Sequence, residues 1–219
     1  MDRALVIGAS GGIGAAIAAE LGARGHAVTG LSRAQDGLDV TDPAAVEGVL
    51  ASLDGPFARI VVAVGTLADG GTPEKSLRAI DAARMARVMA VNAIGPALVL
   101  AHAERLLPRD ARAVVGVLSA RVGSIGDNRM GGWYSYRASK AALNQVVRGA
   151  ALEIGRKRRQ AVVAALHPGT VETPFTAGYS GHAKVTPGRA AARLCDVMDG
   201  LGRDQSGGFF DYAGAEIPW

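Results

Sequence analysis

"ALVIGASGGIGAAIAAELGARG", residues 4–25, sets an unbroken apolar run against a glycine-rich turn and then an alanine-rich stretch. The run "ALVIGA" (4–9) reads as a short buried strand. "IGAAIAAELGARG" (13–25) reads as a helix closed by Gly25. Between them Gly8, Gly12 and Gly14 stand in the spacing G-x-x-x-G-x-G. Glycines so placed let the backbone turn tightly, approach a pyrophosphate and pack the helix on the sheet. The N–H groups that open the helix then face the phosphates. Taken alone, such a loop also fits a merely tight strand–helix turn.

The rest of the chain repeats the alternation. "HAVTGLS" (26–32), "ARIVVAVG" (58–65), "ARAVVGVLS" (111–119), "AVVAALHPG" (161–169) and "GGFFDYAG" (207–214) read as further strands. Helical patterns fill the gaps at 41–53, 76–107, 134–155 and 188–201. The first of these starts with Thr41 or Asp42 as N-cap and Pro43 in the first turn. The segment 76–107 reads as two successive helical pieces. Continuously apolar strands separated by helices predict a doubly wound α/β fold, a parallel sheet covered on both faces. No composition break, repeat or linker divides residues 1–219, so one domain is expected.

At 49% hydrophobic and 20% charged residues, the chain has the profile of a globular protein with a sizeable core. No apolar run near ~18 residues stands out, so no membrane span is expected. The N-terminus lacks the basic flank, apolar core and cleavage site of a signal peptide. A single Cys195 cannot form an internal disulfide, which suits a reduced, cytoplasmic setting. The net charge of +4 raises the question of a polyanion partner. The basic residues are scattered, however, and the one cluster, "RKRR" (156–159), ends a helix where cations suit the dipole. No nucleic-acid partner is expected. Histidines 26, 102, 167 and 182 show no metal-ligand spacing.

The second strand ends in "GLSRAQD". In dinucleotide folds an acid near that point holds the ribose 2′-OH, whereas an arginine accommodates a 2′-phosphate. Ser32 and Arg33 occupy the strand end, with no acid before Asp36, which favours NADP over NAD. Asp39 in "LDVTD" follows a third strand position and is placed to accept from the adenine amino group.

Five stretches together resemble the short-chain dehydrogenase/reductase family over essentially the full length: "GASGGIG" (8–14), "LDV" (38–40), "VNAIG" (91–95), "YRASK" (136–140) and "HPGTVETP" (167–174). "GSIGDN", "YRASKAALN" and the terminal "GGFFDYAGAEIPW" are similar to the small carbonyl-reductase branch with the bacterial C-factor and sniffer-like enzymes. The resemblance implies a Rossmann fold with a mainly parallel seven-stranded sheet and an NADP(H)-dependent interconversion of a small carbonyl compound and an alcohol. It also implies a homodimer or homotetramer built through the long helices. A cofactor-binding signalling protein with little turnover is the competing expectation.

The family's Y-x-x-x-K picks between Tyr134 and Tyr136. Only Tyr136 has a lysine four residues on, Lys140, and four residues return to the same helix face. The resemblance makes Tyr136 the general acid and base. Lys140 lowers its pKa and binds the nicotinamide ribose, and Asn92 holds a water of the proton relay. The implied cofactor contacts are Gly8, Ser10, Gly12, Ile13, Gly14, Arg33, Asp39, Val40, Gly65, Tyr136 and Lys140. They continue through Pro168, Gly169, Val171 and Thr173, while His167 is expected to be structural. After the fourth strand "VAVGT" (62–66) retains only Gly65 of the family's asparagine–alanine–glycine. The segment 174–187 is short for a substrate lid, so an open pocket is expected. Arg121, Asn128, Arg129, Met130 and Trp133 fall where the family keeps its pocket, the arginines expected to face water. The family's serine is expected at position 120, which is Ala120. Ser119 takes the role if a rotation or bulge at the strand end turns it toward the tyrosine. Ser124, in the following loop, is the other candidate, and a chain that has lost the serine altogether is the third reading.

Overall fold

Six short apolar runs become the sheet. β1 (Arg3–Ile7), β2 (Ala27–Leu31), β3 (Arg59–Val62), β4 (Ala113–Leu118), β5 (Ala161–His167) and β6 (Phe209–Asp211) lie in the order β2-β1-β3-β4-β5-β6. Every pairing is parallel. The computed structural model describes residues 1–178 and 183–219, so His182 and part of the 174–187 segment lie outside the described residues.

Helices α1 (Gly12–Ala23) and α7 (Pro187–Gly200) cover one face of the sheet. Helices α3 (Pro43–Ala51), α5 (Gly95–Leu106) and α6 (Tyr134–Lys157) cover the other. Strand residues divide between the faces with period two. Ala113, Val115 and Val117 join Leu106, Leu143 and Val147, whereas Val114 and Leu118 join Ile17, Leu194 and Met198. The strand order turns back between β1 and β3, and the crevice outside the carboxyl ends at such a switch point is where α/β sheets bind ligands.

Two expectations are corrected here. Among the described residues the sheet has six strands, not seven. Leu38–Val40, at the third strand position, forms no ladder. The cause is local polar chemistry. The one-turn α2 (Arg33–Asp36) stops at left-handed Gly37, and the Asp39 and Asp42 side chains then accept from Thr41 and Ala44 N–H groups. These bonds lead the chain straight into α3, while Leu38 and Val40 still bury their side chains.

The second correction concerns 76–107. The two helical pieces read there run end to end from Ala82 to Leu106, after a 3₁₀ turn at Leu77–Ala79. A π turn, Ala90–Ile94, joins α4 (Ala82–Met89) to α5. Pro96 has no N–H to give, and the widened turn absorbs the break in the ladder. By length and composition this run is apolar enough to cross a membrane, contrary to the reading that no such run exists. Here Val99, Leu100, Ala103 and Leu106 are buried in the core between α3, α6 and the sheet.

Candidate active site

The loop after β1 is closed by two glycines. Gly8 is left-handed (φ 88°), and a Cβ on Gly14 would stand 2.1 Å from the Gly8 carbonyl oxygen. The loop delivers the start of α1 to the crevice with Gly11 as N-cap and no side-chain cap. The first-turn N–H groups are therefore left for a ligand, in the manner of a phosphate site. A Cβ on Gly12 would lie 2.8 Å from the Thr173 methyl, so the two residues form facing walls. Ser10, Gly12, Ile13, Gly14, Gly65 and Thr173 border a cavity of about 400 Å³. Open amides and missing side chains fit the pyrophosphate of a dinucleotide.

Arg33, Asp39 and Val40 sit beyond this cavity. Arg33 is exposed and enters none of the ion pairs among the described residues. The carboxylate of Asp36 folds back to accept from the Ser32 N–H at 2.7 Å. Asp39 Oδ1 accepts from the Thr41 hydroxyl at 2.7 Å and N–H at 2.9 Å, which holds its pKa below the ordinary value. Val40 packs on Gly95. The Val171 carbonyl accepts from the Thr176 and Thr173 hydroxyls.

At the first turns of α6, Tyr136 and Lys140 are buried while Tyr134 is half-buried. Lys140 Nζ donates to the Leu118 carbonyl at 2.9 Å, and burial pulls its pKa down from 10.5 to about 7. The sign follows by linkage. Across that window the unfolded chain keeps a proton that the folded chain has released, so stability rises with pH. The burial penalty is complete below pH 7 and fades toward 10.5. Urea unfolding of the cofactor-free protein should gain about 1 kcal/mol per pH unit at most between pH ~7 and ~9. Lys140→Met should lose most of that slope; an unchanged slope would assign it to other groups.

Asn92, fully buried in the π turn, spends its amide on structure. Its Oδ1 accepts from Thr66 N–H at 2.7 Å, and its Nδ2 donates to Thr66 O at 2.7 Å and Ser139 Oγ at 3.0 Å. Ser139 donates to the Tyr136 carbonyl at 2.8 Å. The loop carrying Gly65 is thereby tied to the turn that carries the tyrosine. A second tie comes from Glu74. Its carboxylate accepts from the backbone N–H of Ser135 at 3.2 Å and from the Ser135 hydroxyl. Burial opposes its charge, but the Ser135 bonds hold its pKa below the ordinary value, and an acid suits a helix N-terminus.

The strand end settles which way Ser119 points. Its N–H continues the ladder to Leu166 O at 2.8 Å, and Ala120 is extended (φ −148°, ψ 145°). The rotation or bulge expected there does not occur. Ser119 stays on the α6 side and donates to Asn144 Oδ1 at 2.6 Å. Ser124 is also buried, its Oγ accepting from Asp127 N–H at 3.0 Å. Ser119 and Ala120 both border the crevice, with the Ser119 hydroxyl turned to Asn144.

A second cavity, of about 630 Å³, opens beside the first. Leu67, Val122, Met130, Trp133 and Phe175 make it apolar. Tyr136, Ala120 and His167 border both spaces. The Tyr136 ring lies between Trp133 and Phe175, with centroids 6.2 and 6.1 Å away. Burial, with Arg121 nearby, lowers the His167 pKa to about 4, so its ring is neutral.

Residues 8–195 match a family profile described as enoyl-(acyl carrier protein) reductase. A 1-hydroxy-2-glutathionyl-2-methyl-3-butene dehydrogenase of Rhodococcus sp. (strain AD45) is 33% identical over 238 residues, covering 100% of both chains. The chain belongs to the short-chain dehydrogenase/reductase family. The C-signal protein of Myxococcus xanthus is 38% identical over 141 residues, 64% of this chain and 81% of that one. A Burkholderia multivorans family member solved with bound NADP is 26% identical, with a TM-score of 0.82 over 100% of this chain and 99% of that one.

Within this oxidoreductase family's fold, the structure brings together Ser10, Gly12, Ile13, Gly14, Gly65, Ser119, Tyr136, Lys140, Pro168, Gly169, Val171 and Thr173 around one crevice. Gly8 and Asn92 support it from behind. Glu74, Ser139 and Asn144 were not anticipated from the sequence. A serine inside "YRASK" and a carboxylate two residues after Thr72 carry no local signal of such partners.

Proposed function

We propose that the protein is an NADP(H)-dependent oxidoreductase that interconverts a carbonyl and an alcohol of a small molecule, with Tyr136 as general acid and base. The observation that carries this reading is the position of Tyr136, on the wall between the glycine-loop cavity and the apolar cavity. A nicotinamide held in the first cavity would supply or accept the hydride. On the other side, Tyr136 gives its proton to the oxygen as a carbonyl is reduced and takes it back in the reverse direction. A phenol near pKa ~10 holds that proton too tightly at neutral pH, and the Lys140 ammonium favours the phenolate. Lys140, Val171 and Thr173 would hold the nicotinamide end, and Asn92 keeps the Gly65 loop in register with the turn that carries Tyr136. The Rhodococcus relative is named for oxidising a hydroxy compound, which supports an alcohol as one form of the substrate. Residues 1–219 act as one domain in a cytoplasmic homodimer or homotetramer.

The test is NADPH oxidation by the purified protein over a panel of aldehydes, ketones and quinones. Turnover on some member is expected. Cofactor binding without oxidation of any member would favour a second reading, a cofactor-binding regulatory protein. Ala120, which puts no hydroxyl beside Tyr136, is the observation on that side.

Arg33 bears on the choice of cofactor. An exposed guanidinium outside every ion pair among the described residues matches a 2′-phosphate. NADPH should bind more tightly than NADH by about 1–3 kcal/mol, and Arg33→Ala should remove most of the difference. Equal affinities in the unaltered protein, measured by fluorescence titration, would overturn the assignment.

A further inference from the structure

The apolar cavity carries more positive charge than a neutral substrate needs. Arg121, Arg129 and Arg137 border it against one carboxylate, Asp127. Arg121 is spoken for, pairing with Asp127 at 2.9 Å and Asp211 at 3.4 Å. The other two differ. Arg129 Nη1 donates to the carbonyls of Gly126 (2.9 Å) and Asn128 (3.4 Å). Arg137 Nε donates to those of Gly131 (3.2 Å) and Gly132 (3.1 Å), and its Nη1 to that of Val122 (3.4 Å). Neither meets a carboxylate in any ion pair among the described residues. Backbone carbonyls fix a guanidinium without cancelling its charge. Each fork also keeps an Nη2 group with no bond among those described, and such a fork matches a carboxylate. His167, being neutral, adds nothing to the balance.

We propose that this cavity selects substrates bearing a carboxylate, held by Arg129 and Arg137, with an apolar body between that group and the reacting carbon. The apolar walls formed by Leu67, Met130, Trp133 and Phe175 take the body, and Tyr136 takes the oxygen. The inference rests on the carbonyl–alcohol reading of the same site and deepens it. It assigns Arg129 a binding role in place of the solvent-facing one expected from the sequence, and adds Arg137 to it.

The probes are 4-formylbenzoate and its neutral methyl ester, which differ at the group facing the arginines. Binding to the protein is measured by calorimetry, with and without NADP⁺, whose oxidised ring cannot reduce the aldehyde. The anion should bind about tenfold or more tightly than the ester at low salt. Added salt should shrink that preference. Arg129→Gln, on an exposed loop, should reduce it at least about threefold, and the Arg129→Gln/Arg137→Gln pair should abolish it, while Arg137→Lys retains part. An ester that binds as tightly as the anion, or a preference that survives Arg129→Gln undiminished, would overturn the proposal. These readings need no turnover. If neither aldehyde is reduced with NADPH while the anion preference holds, the proposed reaction fails and the carboxylate site stands.

Discussion

Tyr136→Phe should lower kcat by about 10²–10⁴-fold, the range of a lost general acid or base, and leave NADPH affinity within about twofold. The phenyl ring keeps the contacts to Trp133 and Phe175, which depend on the ring and not on the hydroxyl. The variant should therefore fold and bind cofactor normally, and single-turnover measurements should place the whole loss in the chemical step. Tyr134→Phe is the matched control. Tyr134 borders neither cavity, and four residues on from it stands Ala138 rather than a lysine. It should retain most of the activity. A dead Tyr134→Phe beside a working Tyr136→Phe would put the reacting oxygen on the other side of α6 and dismantle the proposed site. Lys140 deserves the same scrutiny, because in the cofactor-free protein its pKa has fallen to about 7. Near neutral pH it is then only partly charged, and its pull on the phenol is correspondingly incomplete.

The glycine loop and the alternation of strands and helices were legible because they depend on neighbours in the chain. Gly8, Gly12 and Gly14 stand within seven residues, and the i, i+4 relation of Tyr136 to Lys140 needs only a helix. The errors arose where a partner lies far along the chain or where polar side chains overrule an apolar pattern. Leu38 and Val40 alternate as a strand would, yet Asp39 and Asp42 bend the backbone into a turn. The π turn at Ala90–Ile94 changes hydrogen-bond register without changing the apolar pattern around it. Glu74 reaches Ser135 across 61 positions, and Asn92 reaches Thr66 across 26. Such ties require the folded arrangement to be known, and no spacing rule announces them.

The serine question has the sharpest consequence for rate. A hydroxyl beside the tyrosine would donate to the oxygen as it gains negative charge, and losing one such donor costs about 10²–10³-fold in other enzymes. Here Ala120 borders both cavities with Tyr136, and it offers only a methyl group. Ala120→Ser should therefore raise kcat, by about tenfold or more, if the new hydroxyl settles toward the crevice. The site has room at its junction, and the extended backbone at 120 suits serine. Ser119→Ala should act differently. The Ser119 hydroxyl is buried against Asn144 Oδ1, and Asn144 Nδ2 has no partner among the described residues. Removing the hydroxyl strips the Asn144 side chain of its one bond among the described residues and should cost about 1–3 kcal/mol of stability. The effect on kcat, measured where the variant remains folded, should stay within about threefold, since the hydroxyl is spent on Asn144. Ser124→Ala should lose only the turn bond from Asp127. A Ser119→Ala variant with unchanged stability and a hundredfold loss of kcat would reverse the assignment. It would mean that Ser119 leaves Asn144 when substrate binds, and that the strand end rotates after all.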